Sequence, residues 1–452
     1  MNYQGKSVLV LGMARSGEAV ARLLHRLGAI VTVNDGSDNE TLRHQAELLE
    51  GIGLKVVLGD HPLHLLDGCN LIVKNPGIKY DLQILVDAQK RHIPIVTEVE
   101  VAYAVTEAPI IGITGSNGKT TTTMLVDDML QQAQIAHVVG GNVGTPLSDV
   151  VTNLDKKTWV VTELSSFQLK GTQTFRPRIG ALINVYPTHL DYHHTMADYI
   201  ASKQRLFVNQ EHSDIAILNV DHPIIEALEH DNSATIWKVS TKHEVCPGVF
   251  VADGNLVAKV AMDADLLPIL PVRDIFLRGD HNVENALVAS AIALCVGASV
   301  DAIRVTLRTF KGVEHRLEFV REVNGITYFN NSKATNPQAT WRALDSFHEP
   351  IVCILGGLER NDDLQVLLKP LQDHVKAVVT LGQSAKRMAD LAKAAGISSV
   401  TIVDSIEDAV VQATKEAQQG DVVLLAPAAA SWDMFASFEE RGRIFKEAVH
   451  RL

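Results

Sequence analysis

Short apolar runs alternate with amphipathic stretches along the chain. In the first block, "KSVLVLGMA" and "AIVTVND" are predicted strands, and the segment between them has helical periodicity and ends at Gly28. The block closes near "IPIVTEVEVAYAV". Strands that alternate with helices are typical of parallel α/β sheets, so we predict a Rossmann-like N-terminal domain.

Two further blocks repeat this alternation. The second begins with "APIIGITG" and continues through "AHVVGG", "WVVTEL", "IGALINV" and "DIAILNV" to a helix within "LRGDHNVENALVASAIAL". The third begins near "KGVEHRLEFV" and contains "ITYFN", "IVCILGG", "AVVTLG", "SVTIV" and "DVVLLAP". We therefore predict an α/β protein with three domains, at residues 1–96, 97–311 and 312–452.

Composition excludes several classes of protein. The 452 residues carry a formal net charge of −12, so no excess positive field favours nucleic acid. The four cysteines lack a paired spacing, which suits a reducing cytoplasm. The apolar runs are too short for a signal peptide or a membrane span. We expect a cytoplasmic monomer that binds neither nucleic acid nor membrane.

The segment "GITGSNGKTTTTM" almost matches a phosphate-binding loop. Gly118, Lys119 and Thr120 fit the usual pattern, but Ile113 stands where that pattern has glycine. In such loops the backbone N–H groups face the phosphates, the lysine neutralises them and the hydroxyl can bind Mg²⁺. The sequence predicts a central domain of the P-loop ATPase type, and a glycine-rich strand-to-helix turn is the alternative.

A second glycine-rich turn follows the first predicted strand. "GMARSG", with Asp35 at the end of the next strand, resembles a dinucleotide fingerprint in which Ala14 replaces the middle glycine. The motif alone fits a nucleotide site and a close-packed strand–helix junction equally well.

The segment "NVYPTHLDYHHTMADYIASKQRLF" contains a lysine at an unusual position. Thr195 and Asp198 suit a capping box for a helix that starts near Met196. Lys203 lies in the centre of the apolar stripe of that helix. The residues alone favour a lysine whose stem covers apolar surface and whose ammonium reaches water.

Other polar residues could contribute to a site. Glu163 falls at the C-terminal end of a predicted strand, where ligands gather in parallel sheets, although a buried glutamate satisfied by its neighbours is the alternative. His189, Asp191, His193 and His194 have no standard zinc spacing, so most of them are predicted to be ordinary polar loop residues.

Three loops of the third block each follow a predicted strand. They are "NNSKATNP", "GGLERND" and "PAAASWDMF", and they carry Lys333, Thr335, Arg360 and Ser431. Because loops after parallel strands meet at one edge, we expect these side chains to face a common crevice. Asn336 is a predicted N-cap, followed by proline at the first helical position.

Taken together, these segments resemble the Mur ligase family, whose members form amides with ATP in peptidoglycan precursor synthesis. The resemblance spans nearly the whole chain in family order, through "GITGSNGKTTT", "GGNVG", "ELSSFQL", "NVYPTHLDYH", "GDHNVENALVA", "GVEHRLE", "NNSKATNP" and "SWDMFASFEERG". The family carries the loop glycine at the position of Gly115. "ELSSFQL", "SKATN" and the C-terminal segment resemble the members that add D-glutamate to UDP-N-acetylmuramoyl-L-alanine.

The resemblance implies a UDP-sugar domain, a central ATPase and a mobile C-terminal domain for the amino acid. It implies ATP as a substrate and two Mg²⁺ ions, with Lys203 carbamylated by CO₂. The catalytic residues implied are Lys119, Glu163, His189 and Lys203. The metal ligands implied are Thr120, Glu163, His189 and the modified Lys203.

The same resemblance assigns three binding sites. The ATP site comprises Gly115, Ser116, Asn117, Gly118, Lys119, Thr120, Thr121, Asn282, Arg316, Asn331 and Lys333. The UDP-substrate site comprises Gly12, Met13, Ala14, Arg15, Ser16, Asp35, Asn75, Pro76, Gly77 and Asn142. The D-glutamate site comprises Thr335, Arg360, Ser431 and Phe438. Position 331 is asparagine where many members have aspartate.

Three other functions remain open at this stage. A nicotinamide-dependent oxidoreductase would explain "GMARSG" and Asp35 but leaves Lys119 without a task. A nucleotide-binding regulator without catalysis is disfavoured because Glu163, His189 and Lys203 are intact. Within the family, the chain could be another amino-acid adder or a folylpolyglutamate-type ligase.

Overall fold

The computed structural model describes residues 2–142, 144–152, 154–228, 233–360 and 362–452. The chain divides into two compact units: Met1–Asp274 with Val283–Arg308, and Ile275–Asn282 with Thr309–Leu452. The first unit contains two sheets and the second contains one. In the described part of the chain, no helix has the length and apolar character needed to cross a membrane.

The first sheet is parallel and five-stranded, in the order β3-β2-β1-β4-β5. Its strands and flanking helices are β1 Ser7–Leu11, α1 Arg15–Arg26, β2 Ile30–Asp35, α2 Glu40–Glu50, β3 Lys55–Leu58, β4 Leu71–Lys74, α3 Gln83–Lys90, β5 Ile95–Val96 and α4 Glu98–Tyr103. Apolar side chains are buried on both faces of the sheet, as the continuous apolar runs predict. The predicted Rossmann-like arrangement is confirmed.

The second sheet of the first unit has nine strands, in the order β14-β13-β12-β11-β10-β9-β6-β8-β7. Its strands are β6 Ile110–Thr114, β7 His137–Gly141, β8 Trp159–Glu163, β9 Ile179–Leu182, β10 Ile215–Asn219, β11 Thr235–Ser240, β12 Gly248–Ala252, β13 Asn255–Lys259 and β14 Leu267–Pro271. The associated helices are α5 Lys119–Gln132, α6 Leu147–Val150, α7 Ser166–Leu169, α8 Leu190–His193, α9 Met196–Gln204, α10 Pro223–Glu226, α11 Asp280–Val296 and α12 Val300–Thr309.

The strands β6 to β10 match the predicted runs, but β11 to β14 were not predicted. β12, β13 and β14 pair antiparallel, whereas the preceding strands pair parallel. The turn between β12 and β13 is Asp253–Gly254, and both residues have positive φ. An Asp-Gly pair between apolar runs is a strong hairpin signal, so this pair could have revealed the hairpin.

The third sheet, in the second unit, has the order β15-β16-β20-β17-β18-β19. Its elements are β15 Glu318–Val323, β16 Ile326–Asn330, α13 Pro337–Leu344, β17 Ile351–Gly356, α14 Leu368–His374, β18 Val375–Leu381, α15 Ala385–Ala394, β19 Ser399–Ile402, α16 Ile406–Glu416, β20 Val422–Leu425 and α17 Phe438–His450. All pairs are parallel except β15 with β16. Asn336 caps α13 by accepting the N–H of Ala339 at 2.9 Å, as predicted.

Candidate active site

The predicted strand–loop–helix of the phosphate-like segment is confirmed. Buried strand β6 ends at Thr114, and α5 begins at Lys119. Gly118 has φ 79°, and a Cβ there would lie 2.1 Å from Oδ1 of Asn285, so glycine is required. The loop is fixed further by Asn184, whose Oδ1 accepts the N–H of Asn117 at 2.9 Å. Gly118 and Asn184 therefore hold the loop in a fixed turn that leads into the N-terminus of α5, the end of a helix that favours an anion.

Glu163 bonds to side chains from two other segments at this end of the sheet. It closes β8, is 2% exposed, and its Oε2 accepts the hydroxyl of Thr120 at 2.7 Å. Its Oε1 accepts the amide of Asn142 at 2.7 Å. The predicted position at a strand end is confirmed. The alternative also holds in part, because both carboxylate oxygens have partners in the protein.

Lys119 lies across its own loop. Its Nζ donates to the carbonyl oxygens of Gly115 at 2.9 Å and Ser116 at 3.0 Å. The backbone N–H and the hydroxyl of Ser116 bond to Asn184 and Tyr186 respectively. A lysine at this position can move to phosphate oxygens without any change in the fold of the loop.

Lys203 is buried, and the expectation that its ammonium reaches water is wrong. The residue is 1% exposed, because α9 lays the side chain against the end of β6. Its Nζ donates to the carbonyl of Gly115 at 2.7 Å and lies 3.4 Å from Oγ1 of Thr114. Burial lowers the pKa of Lys203 well below its ordinary value, Lys119 lowers it further and Glu163 opposes the shift.

The histidines of the preceding segment have two different roles. His189 caps α8 with φ 56°, and its ring centroid is 5.0 Å from that of Phe167. Burial lowers the pKa of His189, and Lys119 adds to the effect, so the ring is held neutral and able to bind a metal.

His193 is 1% exposed, so the expectation of an ordinary polar loop residue is wrong for it. Its ring nitrogens bond to Ser166 and Asp198, each at 2.9 Å. The predicted N-cap of α9 is confirmed, since Thr195 accepts the N–H of Asp198 at 3.1 Å. The Asp198 carboxylate, however, bonds to His193 and Lys170.

The expected UDP-substrate residues of the first sheet lie together. Asp35 accepts the backbone N–H of Met13 at 2.9 Å, whereas the Met13 side chain is buried in the core. A Cβ on Gly12 would lie 2.7 Å from Cβ of Asn75, so the "GMARS" loop and the "NPG" turn are neighbours. The close-packed strand–helix junction, one of the two alternatives, is present, because a Cβ on Gly17 of α1 would lie 1.9 Å from the carbonyl oxygen of Gly12. Arg15 is exposed at the turn into α1.

The expected D-glutamate residues follow three adjacent strands of the second unit, as predicted. The loops after β16, β20 and β17 carry Thr335, Ser431 and Arg360 respectively. Nζ of Lys333 lies 3.7 Å from the ring centroid of Phe438, and the Arg360 guanidinium stacks on Trp432 at 4.7 Å.

The remaining expected ATP residues are divided between the units. Thr121 lies in the first turn of α5. In the second unit, Oδ1 of Asn331 accepts the N–H of Leu317 at 3.2 Å, and Asn282 donates to the carbonyl of Arg278 at 2.6 Å. Arg316 lies between α12 and β15, and its N–H donates to Val313.

Sequence reasoning missed Arg441, which joins the three loops of the second unit. It is 1% exposed on α17, and its guanidinium donates to the hydroxyl and the carbonyl of Ser332 at 3.0 and 2.9 Å. It also donates to the carbonyl of Ala429 at 3.1 Å and lies 3.5 Å from that of Gly356. Arginine is almost never fully buried unless it is paired, and nothing in the local sequence pattern indicates its partners.

Three family descriptions match the chain in order. They are "Mur ligase MurD-like, N-terminal domain" over residues 6–97, "Mur ligase middle domain" over residues 113–293 and "Mur ligase, glutamate ligase domain" over residues 315–429. Curated relatives named UDP-N-acetylmuramoylalanine–D-glutamate ligase include those of Bacillus mycoides, 47% identical, and Bacillus cereus, 46% identical. Each alignment covers 100% of this chain and 98% of the relative.

Solved structures show the same fold at low sequence identity. UDP-N-acetylmuramate–alanine ligase from Thermotoga maritima is 19% identical with a TM-score of 0.57, and the match covers 99% of each chain. The MurF ligase from the same organism, solved with ADP, is 16% identical with a TM-score of 0.56, covering 99% of this chain and 96% of that one. With family matches over most of its length and full-length relatives close to half identical, the chain belongs to the Mur ligase family.

Proposed function

We propose that this chain is an ATP-dependent ligase that joins D-glutamate to UDP-N-acetylmuramoyl-L-alanine in peptidoglycan precursor synthesis. The relatives at 46–47% identity carry the name of that activity along their full length. The observation that carries the proposal is the contact of Thr120 with Glu163 beside the glycine loop, where a hydroxyl and a carboxylate meet at a helix N-terminus. This arrangement suits a metal-bound triphosphate and leaves the oxidoreductase alternative without support.

The residues at this point fit Mg²⁺. Thr120 and Glu163 present oxygen atoms 2.7 Å apart, and oxygen is the ligand type that Mg²⁺ prefers. We assign Thr120 and Glu163 to one ion beside the triphosphate, and Glu163, His189 and modified Lys203 to a second. When bound, these ions neutralise charge on the phosphate oxygens.

Lys203 as an unmodified cation would repel a metal, so its proposed role requires modification. The burial of the amine and the nearby charge of Lys119 favour the neutral form, which is nucleophilic. Nζ attacks the carbon of CO₂, an N–C bond forms and one proton leaves, so that a carbamate anion replaces the amine. The product is an oxygen ligand in place of a buried cation.

The reaction has two steps. The terminal carboxylate of UDP-N-acetylmuramoyl-L-alanine attacks the γ-phosphorus of ATP, which gives an acyl phosphate and ADP. The amine of D-glutamate then attacks the acyl carbon and phosphate leaves. Two anions must meet in the first step, so the chain's main contribution is the charge of Lys119 and the dipoles of the loop N–H groups.

The substrate ends are assigned to the loops described above. The uridine diphosphate end is assigned to the residues 12–16, Asp35 and the Asn75–Gly77 turn, and the reacting end to Asn142. In the second unit, Asn282, Arg316, Asn331 and Lys333 are assigned to the nucleotide. Thr335, Arg360, Ser431 and Phe438 are assigned to D-glutamate, where the planar guanidinium of Arg360 suits a carboxylate.

The test is amino-acid-dependent release of ADP by the purified protein with ATP, Mg²⁺ and UDP-N-acetylmuramoyl-L-alanine. D-Glutamate, L-glutamate, L-alanine and L-lysine are compared at equal concentration. We expect ADP release and amide formation with D-glutamate alone. Turnover with another amino acid would reassign the substrate within the family, and release of ADP without either co-substrate would contradict the ligase mechanism.

A further inference from the structure

Lys74 is buried at the junction of the first two sheets of the first unit. It ends β4, is 1% exposed, and its Nζ donates to the carbonyl oxygens of Asn75 at 3.2 Å and Pro76 at 3.1 Å. Its third donor goes to the hydroxyl of Tyr192 at 3.1 Å. The three N–H groups of the ammonium are therefore all used, two of them on the turn that is assigned to the UDP-substrate.

Tyr192 connects this lysine to the segment of His189. It lies in α8, for which His189 is the N-cap, and its hydroxyl donates to the carbonyl of Ile78 at 3.2 Å. Phe167 packs on both rings, with centroid distances of 4.5 Å to Tyr192 and 5.0 Å to His189. Nζ of Lys79 donates to the carbonyl of Asp191 at 2.9 Å, which forms a second bridge to α8. The turn and the His189 segment are thus joined through side chains from distant parts of the sequence.

An ammonium is a costly choice for this position. Its hydrogen bonds go to neutral oxygen atoms, and its charge lies over the rings of Tyr80 at 4.7 Å and Tyr192 at 5.7 Å. Lys170, whose charge acts on Lys74, is itself paired with Asp198 at 2.6 Å. A methionine of similar length would fill the volume without this cost, so stability alone does not account for the lysine.

We propose that Lys74, acting through Tyr192, is a positioning residue that fixes the Asn75–Gly77 turn relative to His189. This inference rests on the proposed function, in which the turn holds the UDP-substrate and His189 belongs to the second metal site. Loss of the bridge would let the bound substrate shift with respect to the phosphate loop. Misplacement by about 1 Å is enough to lower a rate about 100-fold.

The test uses Lys74→Met, Tyr192→Phe and the double variant, with Lys90→Met as control. Lys90 ends α3, which flanks the same sheet, and its side chain is 67% exposed. We expect kcat/KM for UDP-N-acetylmuramoyl-L-alanine to fall about 10- to 100-fold in Lys74→Met and less in Tyr192→Phe, with KM for D-glutamate unchanged. The double variant should lose no more kcat/KM than Lys74→Met, because both changes remove the same bridge between Lys74 and Tyr192.

Calorimetric affinity for UDP-N-acetylmuramoyl-L-alanine without ATP provides a readout that needs no turnover. We expect weaker binding in both single variants and unchanged binding in Lys90→Met. Tyr192→Phe removes one hydroxyl only, so it serves if Lys74→Met does not fold. The inference is overturned if Tyr192→Phe keeps the affinity and the kcat/KM of the wild type. It is also overturned if the losses of the single variants multiply in the double variant. A wild-type protein that binds the nucleotide but forms no amide would contradict the proposed function instead.

Discussion

Lys203 and Lys74 are both 1% exposed, but their neighbours differ. Lys203 faces oxygen atoms at the end of β6, beside Lys119 and Glu163. Lys74 faces two aromatic rings, two carbonyls and a hydroxyl. The first environment suits a reaction with CO₂, and the second holds the amine in place.

The proposed carbamate makes activity depend on CO₂. Wild-type protein freed of CO₂ should lose ligase activity and recover it when bicarbonate is added, and Lys203→Met should lose more than about 100-fold in kcat at any bicarbonate concentration. ¹³C NMR of the folded protein equilibrated with ¹³C-bicarbonate should show a carbamate carbon that is absent from Lys203→Met. Unchanged activity in Lys203→Met, with and without bicarbonate, would contradict the modification.

The buried amine of Lys74 makes stability depend on pH. Burial and the nearby charge of Lys170 lower the pKa of Lys74 from 10.5 to about 7. The unfolded chain keeps this proton up to about pH 10.5, so it binds more protons than the native state between pH 7 and 10.5, and native stability rises with pH in that window.

Lys74→Met removes this contribution. The free energy of unfolding of the wild type minus that of the variant should therefore increase from pH 7 to pH 9, by at most about 1.4 kcal/mol per pH unit. Urea unfolding at several pH values measures the difference. A difference that stays constant across this range would show that the native amine keeps its proton.

Residue patterns predicted which loops and strand ends carry most of the candidate residues, but not how deeply their side chains are buried. Gly118, Thr120 and Glu163 were predicted because strand ends and loop glycines have recognisable spacing. From the residues alone, Lys203 was expected to reach water and His193 to be an ordinary polar loop residue, because charge or polarity in a sequence indicates exposure unless a partner is known. Their partners come from distant segments, which the periodicity of one helix does not reveal.

At the scale of elements, α17 stabilises the edge of the third sheet that carries the expected amino-acid site. Arg441 donates to Ser332, Ala429 and Gly356, which follow or end β16, β20 and β17. Burial lowers the pKa of Arg441 to about 10, so the guanidinium stays charged at neutral pH. One side chain therefore bonds to three segments that are far apart in the sequence.

Arg441→Met should lower the free energy of unfolding by about 3 kcal/mol, because buried carbonyls lose charged donors. Arg443→Met is the matched control on the same helix, since the Arg443 side chain is 58% exposed and pairs with Glu447 four residues later. The control should change stability by less than about 0.5 kcal/mol. Equal effects of the two changes in denaturant unfolding would show that the three loops hold without Arg441.

The parallel strands β6 to β10 and β16 to β20 were predicted, whereas β3, β4 and β11 to β14 were not. Buried parallel strands are largely continuous apolar runs, and β6, β9, β10, β17 and β20 have this form. The antiparallel extension carries mixed polarity and prolines at both ends of β14, which weakens the pattern.

At the scale of the whole molecule, the order of motifs was more informative than any one of them. The dinucleotide-like turn alone allowed an oxidoreductase, and the comparisons over the full chain place it in a ligase family instead. The boundaries at residues 97 and 312 remain predictions.

ATP with Mg²⁺ should raise the melting temperature, and NAD should not. A ligand present at about 100 times its Kd stabilises the native state by about 2.7 kcal/mol, so the shift is measurable by thermal unfolding. Lys119→Met should reduce the shift because it removes the cation of the loop. Stabilisation by NAD together with no response to ATP and Mg²⁺ would contradict the assignment of the central domain.

The central claim is that a substrate carboxylate takes a phosphoryl group from ATP before the amide forms. The most direct measurement uses UDP-N-acetylmuramoyl-L-alanine labelled with ¹⁸O in both oxygens of its terminal carboxylate. After turnover with ATP and D-glutamate, mass spectrometry should find one ¹⁸O in the released phosphate and the other in the new amide. Phosphate that contains no ¹⁸O, formed while amide accumulates, would contradict the acyl phosphate and with it the account of this site.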